Sequence, residues 1–151
     1  MNNEYTVPAQ TRIGHVHLKV SDLERTLAFY RDLLGFELTT MYGNQAAFLS
    51  AGGYHHHIGL NTWHSKGMPP ARVNSVGLYH TAILYPTRKD LAAIFDRIRK
   101  AGYPLSGASD HGVVVADRLF QQALRVGGRI GHDDLQAGDL GEPGGIVLAE
   151  A

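Results

Sequence analysis

The chain holds nine histidines and no cysteine among its 151 residues, so any metal chemistry it performs must use imidazole and carboxylate rather than thiolate. Two of these histidines recur in matching surroundings. Ile13-Gly14-His15-Val16-His17-Leu18-Lys19-Val20 alternates in polarity, leads into Ser21-Asp22-Leu23-Glu24, and continues as an amphipathic stretch ending at Gly35. Leu78-Tyr79-His80-Thr81-Ala82-Ile83-Leu84-Tyr85 leads into Thr87-Arg88-Lys89-Asp90 and a second amphipathic stretch ending at Gly102. Placing His15 over His80 aligns the two passages at an offset of about 65 residues. A duplicated strand–helix unit with a histidine at the same early strand position implies two halves facing each other around a shared metal.

The other histidines sort by context. His55, His56 and His57 are consecutive, and His111 follows Asp110. A single strand histidine is usually a satisfied polar group, and that reading fits His17, His55, His57, His64 and His132. His56 and His111 stand evenly between that role and a chemical one. Asp133 and Asp134, beside His132 in a glycine-rich tract, read as a solvated loop.

These side chains need elements to hold them. In the first strand Val16, Leu18 and Val20 share one face and His15, His17 and Lys19 the other. The apolar face should pack on helices, leaving the histidine face toward a cleft. Ser21 is expected to cap the following helix, with Glu24 as its capping-box partner. Leu23, Leu27, Tyr30 and Leu34 form the buried stripe, and Gly35 ends the helix. Strands are predicted over Phe36–Met41, Gln45–Ser50 and Tyr54–Asn61. Residues 13–61 therefore read as β-α-β-β-β, after a tail over 1–12. Alternation along the last strand would send His55 and His57 opposite to His56.

Residues 62–77, with Gly67, Pro69 and Pro70, form a linker. Residues 78–116 begin a second unit. Its strand covers 78–85, Thr87 caps its helix, Leu91, Ile94, Phe95 and Ile98 supply the stripe, and Gly102 with Pro104 stops it. A further strand is expected near 112–116. Residues 117–151 diverge from the repeat: Asp117–Val126 has helical spacing, Gly127–Gly145 has little periodicity, and Ile146-Val147-Leu148 suits one short strand.

Composition narrows the partners. Fourteen basic residues balance fourteen acidic ones, so no basic stripe points to nucleic acid and no lysine-rich helix to a membrane surface. The polar first ten residues and the absence of cysteine suit a cytoplasmic protein. A hydrophobic fraction of 44% is enough for a core.

Residues 13–116 resemble the vicinal-oxygen-chelate superfamily, which includes glyoxalase I, fosfomycin and bleomycin resistance proteins and type I extradiol dioxygenases. Within it the chain looks most like catechol 2,3-dioxygenase-like proteins. The motifs are Gly14-His15-Val16-His17-Leu18-Lys19-Val20, Phe29-Tyr30-Arg31-Asp32-Leu33-Leu34-Gly35-Phe36, Tyr54-His55-His56-His57-Ile58-Gly59-Leu60-Asn61, Leu78-Tyr79-His80 and Asp110-His111-Gly112. The second marks the superfamily, while the histidine triplet and the Asp-His pair point to its dioxygenase branch.

The resemblance implies an α+β fold of paired βαβββ modules in an open barrel-like sheet, the second module altered after residue 112. It implies His15 and His80 as metal ligands and a glutamate on the last strand as the third. That glutamate should follow the Asp-His pair by about seventeen residues in a D-P-x-G-x-x-x-E-like motif, but Gly128 stands there. Glu142, Glu150, Asp133 and Asp134 are the remaining substitutes. The tail departs from the family pattern through divergence or through a shifted reading frame.

The implied chemistry is extradiol ring cleavage. Two imidazoles and a carboxylate on Fe(II), or on Mn(II) or another divalent ion, leave positions for a small catecholic substrate and O₂. His56 would be the acid–base residue, and His111 would hydrogen-bond substrate or oxygen. The alternatives are a glyoxalase-type isomerase and a non-catalytic, resistance-type binder of small molecules. The resemblance also allows modules to pair between chains as a homodimer.

Overall fold

The computed structural model describes residues 4–72, 75–78, 81–103, 109–110, 114–117 and 146–147, the last three segments by backbone alone. The architecture is α+β. β1 (Val16–Lys19) is followed by α1 (Leu23–Leu27), then β2 (Glu37–Tyr42), β3 (Ala46–Ser50) and β4 (Ile58–Asn61). These strands form one sheet in the order β1-β4-β3-β2. β1 and β4 run parallel, and the other neighbours are antiparallel. β1 can pair in parallel with β4 because the whole α1-β2-β3 excursion supplies the crossover.

β5 (Thr81–Leu84) and α2 (Arg88–Lys100) open the second half. β1 and β5 begin and end 65 residues apart and share one alternation of half-buried and exposed residues. β1 is shorter than the alternating run over residues 13–20.

The caps carry a correction. Asp22, not Ser21, caps α1: its Oδ1 accepts from the Arg25 amide at 3.0 Å. Ser21 Oγ instead accepts from the Arg25 guanidinium at 3.3 Å. Thr87 caps α2 as expected, accepting from the Asp90 amide at 3.2 Å. Asp22 and Thr87 are also 65 residues apart, so the correction tightens the repeat. α1 differs from its counterpart. After five residues it widens into a π-helical segment, Ala28–Leu33, in which the Leu34 amide reaches back to the Phe29 carbonyl at 2.9 Å. Gly35, at φ 86°, then takes the left-handed turn that ends it.

One core joins both halves. Val20, Leu23, Leu27, Tyr30, Leu49, Ile58 and Leu60 cluster with Leu91, Ile94 and Ile98 of α2. Tyr30, Leu49, Leu60 and Ile98 are fully enclosed. The Phe29 and Tyr103 rings meet with centroids 4.8 Å apart.

Among the described residues, the second half pairs its strands differently from the first. β5 pairs antiparallel with β7 (Val114–Asp117), and β6 (Ser109–Asp110) pairs antiparallel with β8 (Ile146–Val147). The short strands expected near 112–116 and 146–148 are therefore present. Asp117 closes a strand rather than opening a helix, and residues 118–126 lie outside the described residues. No helix among the described residues is long and apolar enough to cross a membrane.

Candidate metal centre

The sheet sorts side chains between two faces. Ala47, Leu49, Ile58 and Leu60 are buried toward the helices, while His17 and Lys19 are exposed on the opposite side. Across that open face the register aligns His17 of β1 with Gly59 of β4, and Gly59 with Phe48 of β3. Gly59 leaves a hollow between two ring-bearing neighbours. A Cβ there would lie 3.0 Å from Cγ and Nδ1 of His17, so the imidazole rests where a side chain would otherwise stand.

The triplet precedes β4 instead of lying in it, which overturns the expected strand alternation. The backbone turns there, and the three rings separate by a different logic. His57 is held structurally: its Nδ1 accepts from the Ala51 amide at 3.2 Å and lies 3.2 Å from Ser50 Oγ. Its carbonyl receives the Val16 amide at 3.0 Å, which sets the start of β1 beside the triplet. His55 and His56 turn toward His15. The His15–His56 centroids are 4.5 Å apart, His55–His56 4.4 Å and His15–His55 6.2 Å. One ring nitrogen from each of the three lies within 4.8 Å of the others. No carboxylate joins this group among the described residues.

His15 and His55 are exposed and His56 is half-buried. Partial burial, then the neighbouring imidazoles of His55, His15, His17 and His57, hold His56 below its ordinary value near 6.5. The neutral imidazole is thus favoured at neutral pH, the form in which histidine binds metal or accepts a proton. Such a donor set suits a divalent first-row ion.

His15 and His57 also line an open cleft of about 480 Å³ with Phe36, Thr81 and Ile83. The cleft lies between the segment leading into β1 and strand β5, so both halves contribute to it. His80 and His111 lie outside the described residues, as do Asp133, Asp134, Glu142 and Glu150. Thr81, next to His80, lines the cleft. Asp110 is placed by its backbone on β6, opposite Ile146.

Sequence reasoning passed over His55, Phe48 and Trp63. Phe48 stands 5.0 Å from His56 and 5.8 Å from His17, and Trp63 5.9 Å from His17, all between ring centroids. A continuous line of rings therefore runs from His15 through His56, Phe48 and His17 to Trp63. The one available signal was Gly59, a glycine inside an otherwise apolar strand.

An open mixed sheet backed by helices, with histidines beside a cleft between two related halves, defines a recognisable class of protein. Residues 12–115 match the Glyoxalase/Bleomycin resistance protein/Dioxygenase superfamily, and the chain belongs to that superfamily. It is 46% identical over 101 residues to a catechol-2,3-dioxygenase of Bacillus subtilis (strain 168), covering 66% of this chain and 35% of that protein. It is 31% identical over 106 residues to biphenyl-2,3-diol 1,2-dioxygenase 3 of Rhodococcus globerulus, covering 70% of this chain and 55% of that protein. The matches thus span about a third and just over half of those relatives. A lactoylglutathione lyase from Agrobacterium tumefaciens shares the fold, with a TM-score of 0.52 at 20% identity over 68% of this chain and 79% of that one.

Proposed function

We propose that the chain takes part in metal-dependent extradiol cleavage of a small catecholic substrate with O₂. The observation that carries this reading is the approach of His56 to His15, 4.5 Å between rings, with His15 itself lining a cleft shared by both halves. The names of the two curated relatives support the substrate class, and the line of rings from His56 to Trp63 offers planar stacking surface to an aromatic compound.

In this reading His15 and His80 hold the metal. Fe(II), when bound, would lower the pKa of a catechol hydroxyl and bring O₂ beside the ring. The chain's own residues manage the proton. His56, kept neutral by burial and neighbouring imidazoles, takes the second catechol proton on a ring nitrogen and later returns one to the departing oxygen. His111 orients substrate or oxygen by a hydrogen bond. Phe48 and Trp63 shield one side of the substrate ring from water.

The test is metal content after anaerobic purification, followed by catechol turnover. Near-stoichiometric iron or manganese, lost in His80→Ala, is expected, with one O₂ consumed per catechol opened. His56→Ala should keep the metal and lose ring cleavage. Substrate binding without turnover in the metal-loaded parent protein would replace this reading with the non-catalytic binder.

A further inference from the structure

We propose that Thr39 is a positioning residue for His56: its hydroxyl, carried on a bulge of β2, fixes the peptide group from which the His56 imidazole projects toward His15. The inference rests on the acid–base role proposed for His56 and adds the contact that sets that ring in place.

Three observations carry it. First, the register of β2 against β3 slips at this residue. Leu38 pairs with Leu49 and Thr40 with Phe48, so Thr39 is the extra residue of a bulge. Bulges re-aim side chains beside functional sites. Second, Thr39 Oγ1 lies 3.0 Å from the Phe48 carbonyl oxygen and 3.2 Å from that of His55. A hydroxyl carries one proton, so a single donor serves both acceptors and ties the two segments together. The His55 carbonyl belongs to the peptide that joins His55 to His56, and Phe48 carries the ring that stands 5.0 Å from the His56 ring. Third, the peptide on the other side of His56 is held as well, because the His57 amide donates to the Leu49 carbonyl at 2.8 Å. The backbone of His56 is thus held between two fixed peptides, one through Thr39 and one through β3.

The bond matters to the site more than to the fold. β2 is exposed along its length, and none of its residues belongs to the buried core. An exposed hydrogen bond between neutral groups adds little to stability, since water replaces it readily. The triplet, by contrast, precedes β4 and has no strand ladder to orient it. Losing the Thr39 donor frees the His55–His56 peptide to rotate, which shifts the His56 ring against His15 although neither ring is altered. Misplacing a reacting group by an ångström can cost about 100-fold in rate.

The experiment compares Thr39→Val, which keeps the side-chain shape and deletes the donor, with Thr39→Ser, which restores the hydroxyl, both in the full iron-loaded chain. Thr39→Val is expected to keep the metal content, the urea midpoint and the KM for catechol while kcat falls at least about tenfold. Thr39→Ser should recover most of the parent rate. Thr40→Val, one residue along and outside these contacts, should match the parent. A second readout needs no turnover: in the metal-free chain the ring protons of His56 carry a ring-current shift from Phe48. Their NMR signals should move in Thr39→Val and return in Thr39→Ser. An unchanged kcat, or His56 signals that stay in place, in Thr39→Val overturns this inference and leaves the proposed function standing. Lost metal or a collapsed urea midpoint that Thr39→Ser does not restore also overturns it, since Thr39 would then support the fold. If the His56 signals respond as expected but the metal-loaded parent opens no catechol, the positioning contact stands and the proposed function falls.

Discussion

Arg97 on α2 donates from Nη2 to the backbone carbonyl of Asp32, the residue 65 positions before it. The same interval separates β1 from β5 and Asp22 from Thr87. The bond therefore joins the helical segment of the first repeat to the helix of the second. This contact is one place where the duplicated units meet.

Removing that donor should loosen the junction without dismantling it. Arg97→Met keeps much of the side-chain stem and deletes the hydrogen bond, which is exposed. The expected cost is about 1 kcal/mol or less, seen as a lower urea midpoint with an unchanged slope.

The corrected cap gives a paired comparison. Asp22→Ala removes the acceptor for the Arg25 amide and should cost about 1 kcal/mol. Ser21→Ala should cost less than about 0.5 kcal/mol, as surface changes away from caps and cores do. Equal losses in the two unfolding curves would return the cap to Ser21.

Gly59→Ala places a methyl group 3.0 Å from the His17 ring. The ring must move, at an expected cost of about 1–3 kcal/mol. The double variant with His17→Ala should recover most of that loss, because the clash has gone. Independent, additive losses in the cycle would show that the clash lies elsewhere.

Acid should weaken the end of α2 in a definite direction. Hydrogen bonds from Lys100 and then Arg99 hold the Asp96 carboxyl below its ordinary value of 3.8. A carboxyl lowered on folding contributes stability above its unfolded value and loses it as pH falls through the folded one. Urea midpoints should therefore drop below about pH 4, where the unfolded carboxyl begins to take up protons. Asp96→Asn should flatten this part of the profile. The effect is small because the pair is exposed and screened.

Ile98 is fully enclosed and links α2 to the core shared with the sheet. Ile98→Ala should cost about 2–5 kcal/mol, measured by the same urea unfolding. A loss confined to α2, with the sheet unaffected, would mean that the halves fold separately.

Local chemistry was legible in the sequence. Strand periodicity placed β1 and β5, helical spacing placed Leu91, Ile94 and Ile98 in the core, and glycines 35 and 102 marked both helix ends. The repeat itself was visible because duplicated elements keep duplicated caps. These features depend on neighbours a few residues away, and the sequence states them directly. The grouping of His55 with His15 was not legible. It required knowing that the chain turns before β4 and that β4 pairs with β1 in parallel. Strand alternation gave the wrong partner because alternation holds only where a strand is paired, and the triplet lies before that pairing begins. The π-helical widening of the first helix and the unlike pairing of β5 with β7 were likewise settled by contacts between distant segments. Sequence alone determined which residues could carry the chemistry. Tertiary structure decided which imidazoles meet, because their distances are set by sheet register rather than by spacing along the chain.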